Sequence, residues 1–163
     1  MKKFTLIRHA KSSWSDASLK DFDRPLNGRG IRDAPRMADK MLELLGQVDL
    51  IVSSPANRAI STAMVFAKTF GINSDDIHLK ESLYHAYPEE VMKVLHELDN
   101  KYNSVFIFGH NPTFTTIADT FSQEYINNVP TCGASVIAST AEEWAAINKS
   151  NAKLVDFIYP KML

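Results

Sequence analysis

Hydrophobic and polar positions follow two periods along the chain, one typical of strands and one typical of helices. Short apolar runs predict six strands, at Phe4 to Arg8, Leu50 to Ser53, Ile77 to Leu79, Val105 to Gly109, Ser135 to Ser139 and Leu154 to Tyr159. Longer amphipathic stretches separate these runs. Alternation of strands and helices indicates an α/β fold, a three-layer αβα sandwich in which helices cover both faces of a mostly parallel sheet.

Four of the intervening stretches are predicted to be helices, at about Gly28 to Leu45, Asn57 to Phe70, Pro88 to Leu98 and Pro112 to Phe121. In the first of them the apolar residues recur at helical spacing and predict its apolar face: Ile31, Met37, Met41 and Leu45. Pro35 lies inside this stretch, and a proline there removes a hydrogen bond and crowds the preceding turn. We therefore expect this helix to start later than Gly28 or to kink.

Residues 11–27 read as one long irregular loop directly after the first strand, because serine, aspartate and proline interrupt any apolar period. Long loops inside compact domains are usually functional. Trp14 in this loop is expected either to pack or to line the mouth of a pocket.

The composition changes this picture little. A chain of 163 residues with 45% hydrophobic and 23% charged residues is expected to form one globular domain over residues 1–163. The formal net charge of −1 argues against a surface devoted to nucleic acid or to anionic membrane. The lone Cys132 cannot form an intramolecular disulfide, and no apolar run has the length of a signal peptide or a membrane span, so we expect a cytoplasmic protein.

Three of the predicted strands end in residues that suit one chemistry. Arg8 and His9 follow the first strand, Arg58 comes shortly after the second, and His110 follows the fourth. Because the carboxyl ends of parallel strands share one edge of a sheet, these side chains are expected to converge. Taken alone, Arg58 would be interpreted as a charge on the surface, and His110 as a histidine that hydrogen-bonds to the backbone. The four residues together indicate a functional site.

Two arginines and two histidines together suit phosphoryl transfer. Guanidinium groups match phosphate oxygens and keep their charge, and they neutralise the charge that spreads over those oxygens during transfer. A neutral imidazole is a competent nucleophile, and a second imidazole, if protonated, would add a donor. The N-terminus of the helix at Pro112 would add backbone N–H groups.

The residues that other classes of phosphatase, hydrolase or nucleotide-binding protein require are missing from this sequence. A cysteine-based phosphatase would need an arginine at position 138, where the chain has Ala138 after Cys132. No spacing typical of a metal-dependent hydrolase and no glycine-rich nucleotide loop is present, so we expect neither a metal ion nor an organic cofactor.

The motifs LIRHA, SSPANRA and GHNP, in this order, resemble those of the histidine phosphatase superfamily. The stretch DFDRPLNGRG at positions 21–30 is similar to a segment of its small SixA-like phosphohistidine phosphatase branch. The resemblance spans nearly the whole chain. It implies a phosphoglycerate mutase-like fold, with helices packed on both faces of the sheet.

The resemblance also implies roles for individual residues. His9 would accept the phosphoryl group, and Arg8, Arg58 and His110 would form the phosphate pocket. Arg24 and Asn111 would assist substrate binding, although Arg24 could instead anchor the long loop. Lys11 and Ser12 follow the nucleophile closely enough in the sequence to help bind phosphate as well.

This chain departs from the family pattern at two positions. Ala10 replaces the usual glycine after the nucleophile, and we expect little effect provided that its φ is negative. His85 occupies the place where larger members carry a glutamate as general acid. Three alternatives stay open here: His85 is the acid, Glu81 or Glu89 reaches into the site, or no dedicated acid is needed.

The expected function is therefore that of a phosphatase, acting on phosphate monoesters or phosphohistidine through a covalent intermediate on His9. Losing a general acid costs on the order of 10²- to 10⁴-fold on an alkyl phosphate, whereas a labile P–N bond tolerates the loss better. This favours phosphohistidine or another activated phosphate over sugar phosphates, and the resemblance implies a phosphohistidine-bearing phosphotransfer protein as partner. The alternatives are a non-catalytic phosphoprotein-binding module and a small-molecule phosphatase or phosphomutase of the same superfamily.

Overall fold

The computed structural model describes residues 1–163 and contains six strands and four α-helices. The strands are β1 (Lys2–Arg8), β2 (Leu50–Ser53), β3 (His78–Leu79), β4 (Ser104–Gly109), β5 (Ala134–Ser139) and β6 (Ala152–Ile158). The helices are α1 (Gly28–Leu45), α2 (Asn57–Phe70), α3 (Pro88–His96) and α4 (Thr113–Phe121). Every predicted element is present, and most of the predicted bounds differ from the observed ones by no more than two residues.

All six strands form one sheet in the order β3-β2-β4-β1-β5-β6. The first four of these strands run parallel, and β5 pairs antiparallel with both β1 and β6. Because β2, β4 and β1 are parallel neighbours, their carboxyl ends lie side by side at one edge of the sheet. The residues that follow Ser53, Arg8 and Gly109 are therefore placed together, as the sequence predicts.

Helices cover both faces of the sheet and bury an apolar core on each. On one face, apolar residues of α1 and α2 pack against β-strand residues such as Ile7, Ile51 and Phe108. On the other face, α3 and α4 pack against Phe4, Leu6 and neighbouring strand residues. The alternation of these strand side chains between the two cores is the period of two expected of strands buried on both faces. The fold is thus the predicted three-layer αβα sandwich.

The expectations that α1 starts later than Gly28 and that Ile31 lies on its buried face are wrong. The helix begins at Gly28 and continues through Pro35, with Asn27 as N-cap accepting a hydrogen bond from the Gly30 N–H at 2.9 Å. Proline at position 35 removes the hydrogen bond that its nitrogen would donate to the carbonyl of Ile31, and the buried face of the helix offsets that loss. Ile31 itself is 63% exposed, because the buried face follows Ala34, Met37 and Met41 instead.

The long loop between β1 and α1 is more regular than the sequence indicates. It contains a short 3-10 helix at Asp21–Asp23, and Ser12 forms an antiparallel bridge with Leu26. The loop therefore folds back on itself directly above the end of β1. No helix in the structure combines the length and apolar character needed to cross a membrane.

Candidate active site

His9 is the first residue after β1, and its backbone is fixed on both sides. Its N–H donates to the carbonyl of Gly109 at 3.1 Å, and its carbonyl accepts from the N–H of Cys132 at 3.0 Å. The imidazole Nδ1 lies 2.8 Å from the carbonyl oxygen of Ala10. Because a carbonyl only accepts, Nδ1 carries the proton in this contact and Nε2 keeps its lone pair.

Ala10, where the family usually has glycine, takes an ordinary backbone conformation. Among the non-glycine residues only His85 and Cys132 have positive φ, so Ala10 does not need the freedom of glycine. Its side chain is fully buried in the apolar core, and its N–H donates to the Thr62 hydroxyl at 3.0 Å. The methyl group therefore fits without backbone strain, as expected from the sequence.

Arg8, the last residue of β1, donates from Nη1 to the carbonyl of Val129 at 2.9 Å. Its Nε is buried and has no hydrogen-bond partner within the protein. Burial also lowers the pKa of this guanidinium below its ordinary value. A buried donor without a partner is costly, and an oxyanion in the adjoining cavity would provide the missing acceptor.

Arg58 lies in the first turn of α2 and is buried, contrary to its reading as an isolated surface charge. Its Nη1 donates to the Asp21 carbonyl at 2.7 Å and its Nη2 to the Asp21 carboxylate at 3.0 Å. Its Nε, like that of Arg8, is buried without a partner. The guanidinium is thus held in place from the side of the long loop.

Asp21 is the centre of a charged network that the sequence did not single out as part of the site. Its carboxylate accepts from Arg24 at 3.0 Å, from Arg58 at 3.0 Å and from the Tyr84 hydroxyl at 2.6 Å. Burial raises the pKa of the Asp21 carboxyl, but Tyr84 and the two guanidinium groups outweigh this and hold the pKa well below its usual range. The sequence signal that could have identified Asp21 as part of the site is its position three residues before Arg24.

Arg24 both anchors the long loop and lines the site, and its part in substrate binding stays a prediction. Its Nη1 donates to the Ser12 hydroxyl at 2.7 Å, and its guanidinium stacks on the Trp14 ring with 3.5 Å between the guanidinium carbon and the ring centroid. Trp14 remains 71% exposed and lines the mouth of the cavity, whereas Trp144 is fully buried as a packing residue.

His110 follows β4 and faces His9, with 5.3 Å between the ring centroids. Its Nε2 lies 2.8 Å from the Ser54 hydroxyl, and its Nδ1 is buried without a partner. Burial, with a smaller contribution from His9 and Arg58, lowers the pKa of His110 to about 3. The ring is therefore neutral at pH 7 in this structure, and a charged donor role would require a bound anion to raise its pKa.

Burial likewise lowers the pKa of His9 to about 4. The hydrogen bond to Ala10 opposes this shift, and the charges of Arg58, Arg8 and Arg24 add to it. His9 is consequently neutral over the whole physiological range, the state that an imidazole nucleophile requires.

One cavity of about 400 Å³ and one of about 220 Å³ meet at this edge of the sheet. The smaller cavity is lined by most of the predicted site residues and by Thr131, which the sequence did not single out: Arg8, His9, Lys11, Ser12, Trp14, Arg24, Arg58, His110, Asn111 and Thr131. The structure thus gathers around one cavity every predicted site residue except His85.

His85 lines the larger cavity, which shares Arg58, His110 and Asn111 with the smaller one. Its ring is exposed and stacks on Tyr84 with 4.0 Å between centroids, and its backbone has a φ of 56°. Glu81 and Glu89 are exposed and line neither cavity. The carboxylate that does line the larger cavity, Asp21, stays ionised at neutral pH and has no proton to donate.

The side chains at this edge suit an anion better than a metal ion. Arginines dominate the smaller cavity, and nowhere in the structure do three or more histidine, cysteine or carboxylate side chains form a group that could hold a metal. Comparison with known proteins agrees with this chemistry, because the family model of the histidine phosphatase superfamily (branch 1) matches residues 4–87. The chain belongs to this superfamily.

Relatives in sequence extend over almost the entire chain. An uncharacterized protein of Mycobacterium tuberculosis is 33% identical over 165 residues, covering 95% of this chain and 100% of its own length. An uncharacterized chloroplastic protein of Arabidopsis thaliana is 30% identical over 151 residues, covering 88% of this chain and 69% of its own. Membership of the histidine phosphatase superfamily, together with the solved structures below, supports a phosphatase of the hydrolase class.

Solved structures place the chain in the SixA-like branch. A candidate phosphohistidine phosphatase SixA from Agrobacterium tumefaciens has a TM-score of 0.82 and 29% identity, covering 98% of each chain. The protein histidine phosphatase SixA in complex with tungstate has a TM-score of 0.81 at 18% identity over 98% of each chain, which shows the same fold. The resemblance and the phosphoglycerate mutase-like fold inferred from the sequence motifs are confirmed.

Proposed function

We propose that this protein removes the phosphoryl group from phosphohistidine on a protein substrate, through a covalent phosphohistidine intermediate on His9. The observation that carries the proposal is the contact between His9 Nδ1 and the Ala10 carbonyl. It places the proton on Nδ1 and leaves the Nε2 lone pair free, in a ring whose lowered pKa keeps it neutral. A neutral, oriented imidazole inside a cationic cavity is a nucleophile for phosphorus.

Binding of the phosphoryl group would use the cations around that cavity. Arg8 and Arg58 each hold a buried Nε without a partner, and phosphate oxygens would accept from these donors. Lys11, Ser12, Arg24 and Asn111 complete the lining as further binding residues. His110, 5.3 Å from His9 between ring centroids, would contact the same oxygens.

The reaction would proceed in two displacements. The lone pair of His9 Nε2 attacks phosphorus, the P–N bond to the substrate histidine breaks, and its electron pair stays on the departing imidazole, which takes up a proton. Water then attacks phosphorus, loses a proton, and the bond to His9 breaks to release inorganic phosphate. Arg8 and Arg58 would neutralise the charge on the equatorial oxygens in both steps.

The lack of an available carboxylic acid supports phosphohistidine over an alkyl phosphate. Glu81 and Glu89 lie away from both cavities, and the pKa of the Asp21 carboxyl is held too low for it to donate a proton at neutral pH. His85 in the larger cavity would be the proton donor. An imidazole leaving group depends less on such a donor than an alkoxide does.

A substrate carried on a protein also suits the open form of the larger cavity, whose rim includes the exposed Tyr87 and His85. We propose a phosphohistidine-bearing phosphotransfer protein as partner, and residues 1–163 as a single domain that needs no metal ion. The cytoplasmic location and the absence of nucleic-acid binding stay predictions.

The test compares wild type with His9→Gln on p-nitrophenyl phosphate and on a phosphotransfer domain phosphorylated with phosphoramidate. We expect the variant to lose on the order of 10³-fold or more in kcat/KM on both substrates, because the amide of glutamine has no nucleophilic nitrogen lone pair to replace that of His9 Nε2. Rapid quenching of the wild type should trap phosphate on the peptide that contains His9. The matched control is His78→Gln, an exposed histidine on β3, which should retain full activity.

Each other outcome has a distinct meaning. Equal release by wild type and His9→Gln contradicts the nucleophile assignment. Release from p-nitrophenyl phosphate but not from the phosphotransfer domain would favour a small-molecule phosphatase. Binding of the phosphorylated domain without release of phosphate would favour the non-catalytic binding module.

A further inference from the structure

The N-terminal half of α1 carries a row of exposed cations beside the active site. Arg29, Arg32 and Arg36 have side chains 52%, 65% and 45% exposed, at positions that place them along one side of the helix. Together with Lys161 they line a cleft of about 510 Å³, here named the basic cleft. None of these four residues takes part in the phosphatase site described above.

Only one acidic side chain lines the basic cleft. Asp33 is buried, and its carboxylate lies 3.8 Å from Arg29 Nε, 3.6 Å from Arg32 Nε and 3.6 Å from Arg36 Nη1. These contacts leave both terminal nitrogens of Arg32 without a partner in the protein, while Arg36 Nη2 reaches the carbonyl of Leu163 at 3.5 Å. In a chain with net charge −1, four cations around a single carboxylate side chain form a local positive surface.

Direct contacts join this cleft to the active site. Arg29 Nη2 donates to the Thr131 hydroxyl at 3.1 Å, and Thr131 lines both the basic cleft and the smaller active-site cavity. Asn128 of the basic cleft accepts from Asn111 of the active site at 3.2 Å. A polypeptide whose phosphohistidine occupies the smaller cavity can therefore extend past Thr131 to the cations on α1.

We propose that the basic cleft docks an acidic segment of the phosphorylated protein substrate while its phosphohistidine occupies the active site. This proposal rests on the proposed function, because it needs a substrate carried on a polypeptide. Charge complementarity is the physical basis, since exposed charges at the rim of a site mainly steer and orient a partner.

The spacing of the cations favours an acidic polypeptide over a small anion. Arg29 and Arg36 are seven residues apart, which separates their backbone atoms by about 10 Å along the helix axis. A small anion needs donors that converge on one point, and the point on which these guanidinium groups converge is already filled by Asp33. A row of carboxylates on a polypeptide matches the length of the row.

The test uses two peptides phosphorylated on a single histidine with phosphoramidate. In the acidic peptide the histidine is flanked on each side by two glycines and four glutamates, and in the neutral peptide glutamines replace the glutamates. We expect wild type to prefer the acidic peptide by about 3- to 10-fold in kcat/KM. The preference should fall in 0.5 M NaCl, where the screening length shortens to about 4 Å.

In the double variant Arg32→Gln, Arg36→Gln, the ratio of kcat/KM for the acidic peptide to that for the neutral peptide should fall to about one. Its kcat/KM for p-nitrophenyl phosphate should stay within about twofold of wild type. The matched control is Lys68→Gln, Lys153→Gln, which removes the same charge from exposed positions outside the basic cleft and should keep the preference. Thermal unfolding of each variant checks that the fold is intact.

An unchanged preference in the Arg32, Arg36 variant, or an equal loss in the control, would overturn the docking proposal and leave the proposed function intact. Failure of wild type to dephosphorylate either peptide or a phosphotransfer domain would contradict the proposed function, and the docking proposal with it. Loss of binding to a short single-stranded RNA in the Arg32, Arg36 variant, with no peptide preference in wild type, would assign the basic cleft to nucleic acid instead.

Discussion

Arg8 and Arg58 each keep one buried guanidinium nitrogen without a hydrogen-bond partner, and His110 keeps one imidazole nitrogen in the same state. Each such donor or acceptor costs about 1–3 kcal/mol when it is buried and unpaired. A protein tolerates this cost where a ligand provides the missing hydrogen-bond partner. The unpaired nitrogens of Arg8, Arg58 and His110 therefore mark where phosphate is expected to bind. The arrangement favours binding over stability at this edge of the sheet.

His85 differs from these residues because it is exposed and has a left-handed backbone, with a φ of 56°. If His85 donates the proton to the leaving group, His85→Asn should lower kcat/KM on the order of 10²-fold for an alkyl phosphate such as glycerol phosphate. It should leave p-nitrophenyl phosphate hydrolysis nearly unchanged, because that leaving group departs without a proton. Asparagine is the replacement of choice since it tolerates a positive φ better than glutamine.

Parallel assays of both substrates check this prediction. Equal rates of wild type and His85→Asn on glycerol phosphate would remove His85 from the mechanism. An equal loss on both substrates would indicate that the substitution disturbs the loop rather than proton transfer.

The first turn of α1 shows how an element shapes the site without contributing a catalytic side chain. Gly30 packs directly against the backbone of Lys11, two residues after His9, and the same Lys11 carbonyl accepts from the N–H of Asn27 at 2.9 Å. A Cβ at position 30 would clash with the Lys11 carbonyl oxygen. Helix α1 therefore sets the path of the chain through the residues that line the phosphate cavity.

Replacing Gly30 with alanine should force this segment away from the helix. We expect Gly30→Ala to lower the free energy of unfolding by roughly 1–3 kcal/mol, the usual cost of overpacking, and to lower kcat/KM because Lys11 and Ser12 move. Gly28→Ala is the matched control, since a Cβ there meets no atom within 4 Å. The control should keep its stability or gain up to about 1 kcal/mol from helix propensity.

Urea unfolding and p-nitrophenyl phosphate assays of both variants measure these effects. Identical behaviour of Gly30→Ala and Gly28→Ala would show that the close approach of α1 to Lys11 does not matter. A loss confined to stability would show that the cavity tolerates the shift.

For the molecule as a whole, the buried pair of histidines links stability to pH. Burial lowers the pKa of His9 to about 4 and that of His110 to about 3, whereas a histidine in the unfolded chain titrates near its ordinary value of about 6.5. Between these values the unfolded chain binds more protons than the folded protein. The free energy of unfolding therefore falls as the pH falls below about 6.5, and it continues to fall until the folded pKa values are reached.

We expect the two histidines together to lower the free energy of unfolding by roughly 2 to 4 kcal/mol between pH 7 and pH 5. Urea unfolding at both pH values measures this difference. His110→Asn should remove about half of it, and His78→Asn, which changes an exposed histidine, should leave it unchanged. A difference that is the same in wild type and His110→Asn would contradict the burial of a neutral His110.

Much of this architecture could be predicted from the sequence because strands and helices have different apolar periods. The bounds of α1, α2 and β2 agree with the predicted bounds, and the arginines and histidines at the ends of β1, β2 and β4 were expected at one edge of the sheet. Local signals were enough here, since the carboxyl ends of neighbouring parallel strands must coincide. Ile31 was misplaced because a helical period does not by itself identify which side of the helix is buried.

Only the tertiary structure determined the contacts and the pKa values of the residues in the site. Asp21 and Thr131 became parts of it through contacts across the chain, to Arg58 and Arg29, that no local pattern encodes. The same holds for the lowered pKa values of His9 and His110, because desolvation depends on all the elements that surround a ring rather than on its neighbours in sequence. The sequence by itself determined which residues reach the edge of the sheet, and packing determined their charge, orientation and partners.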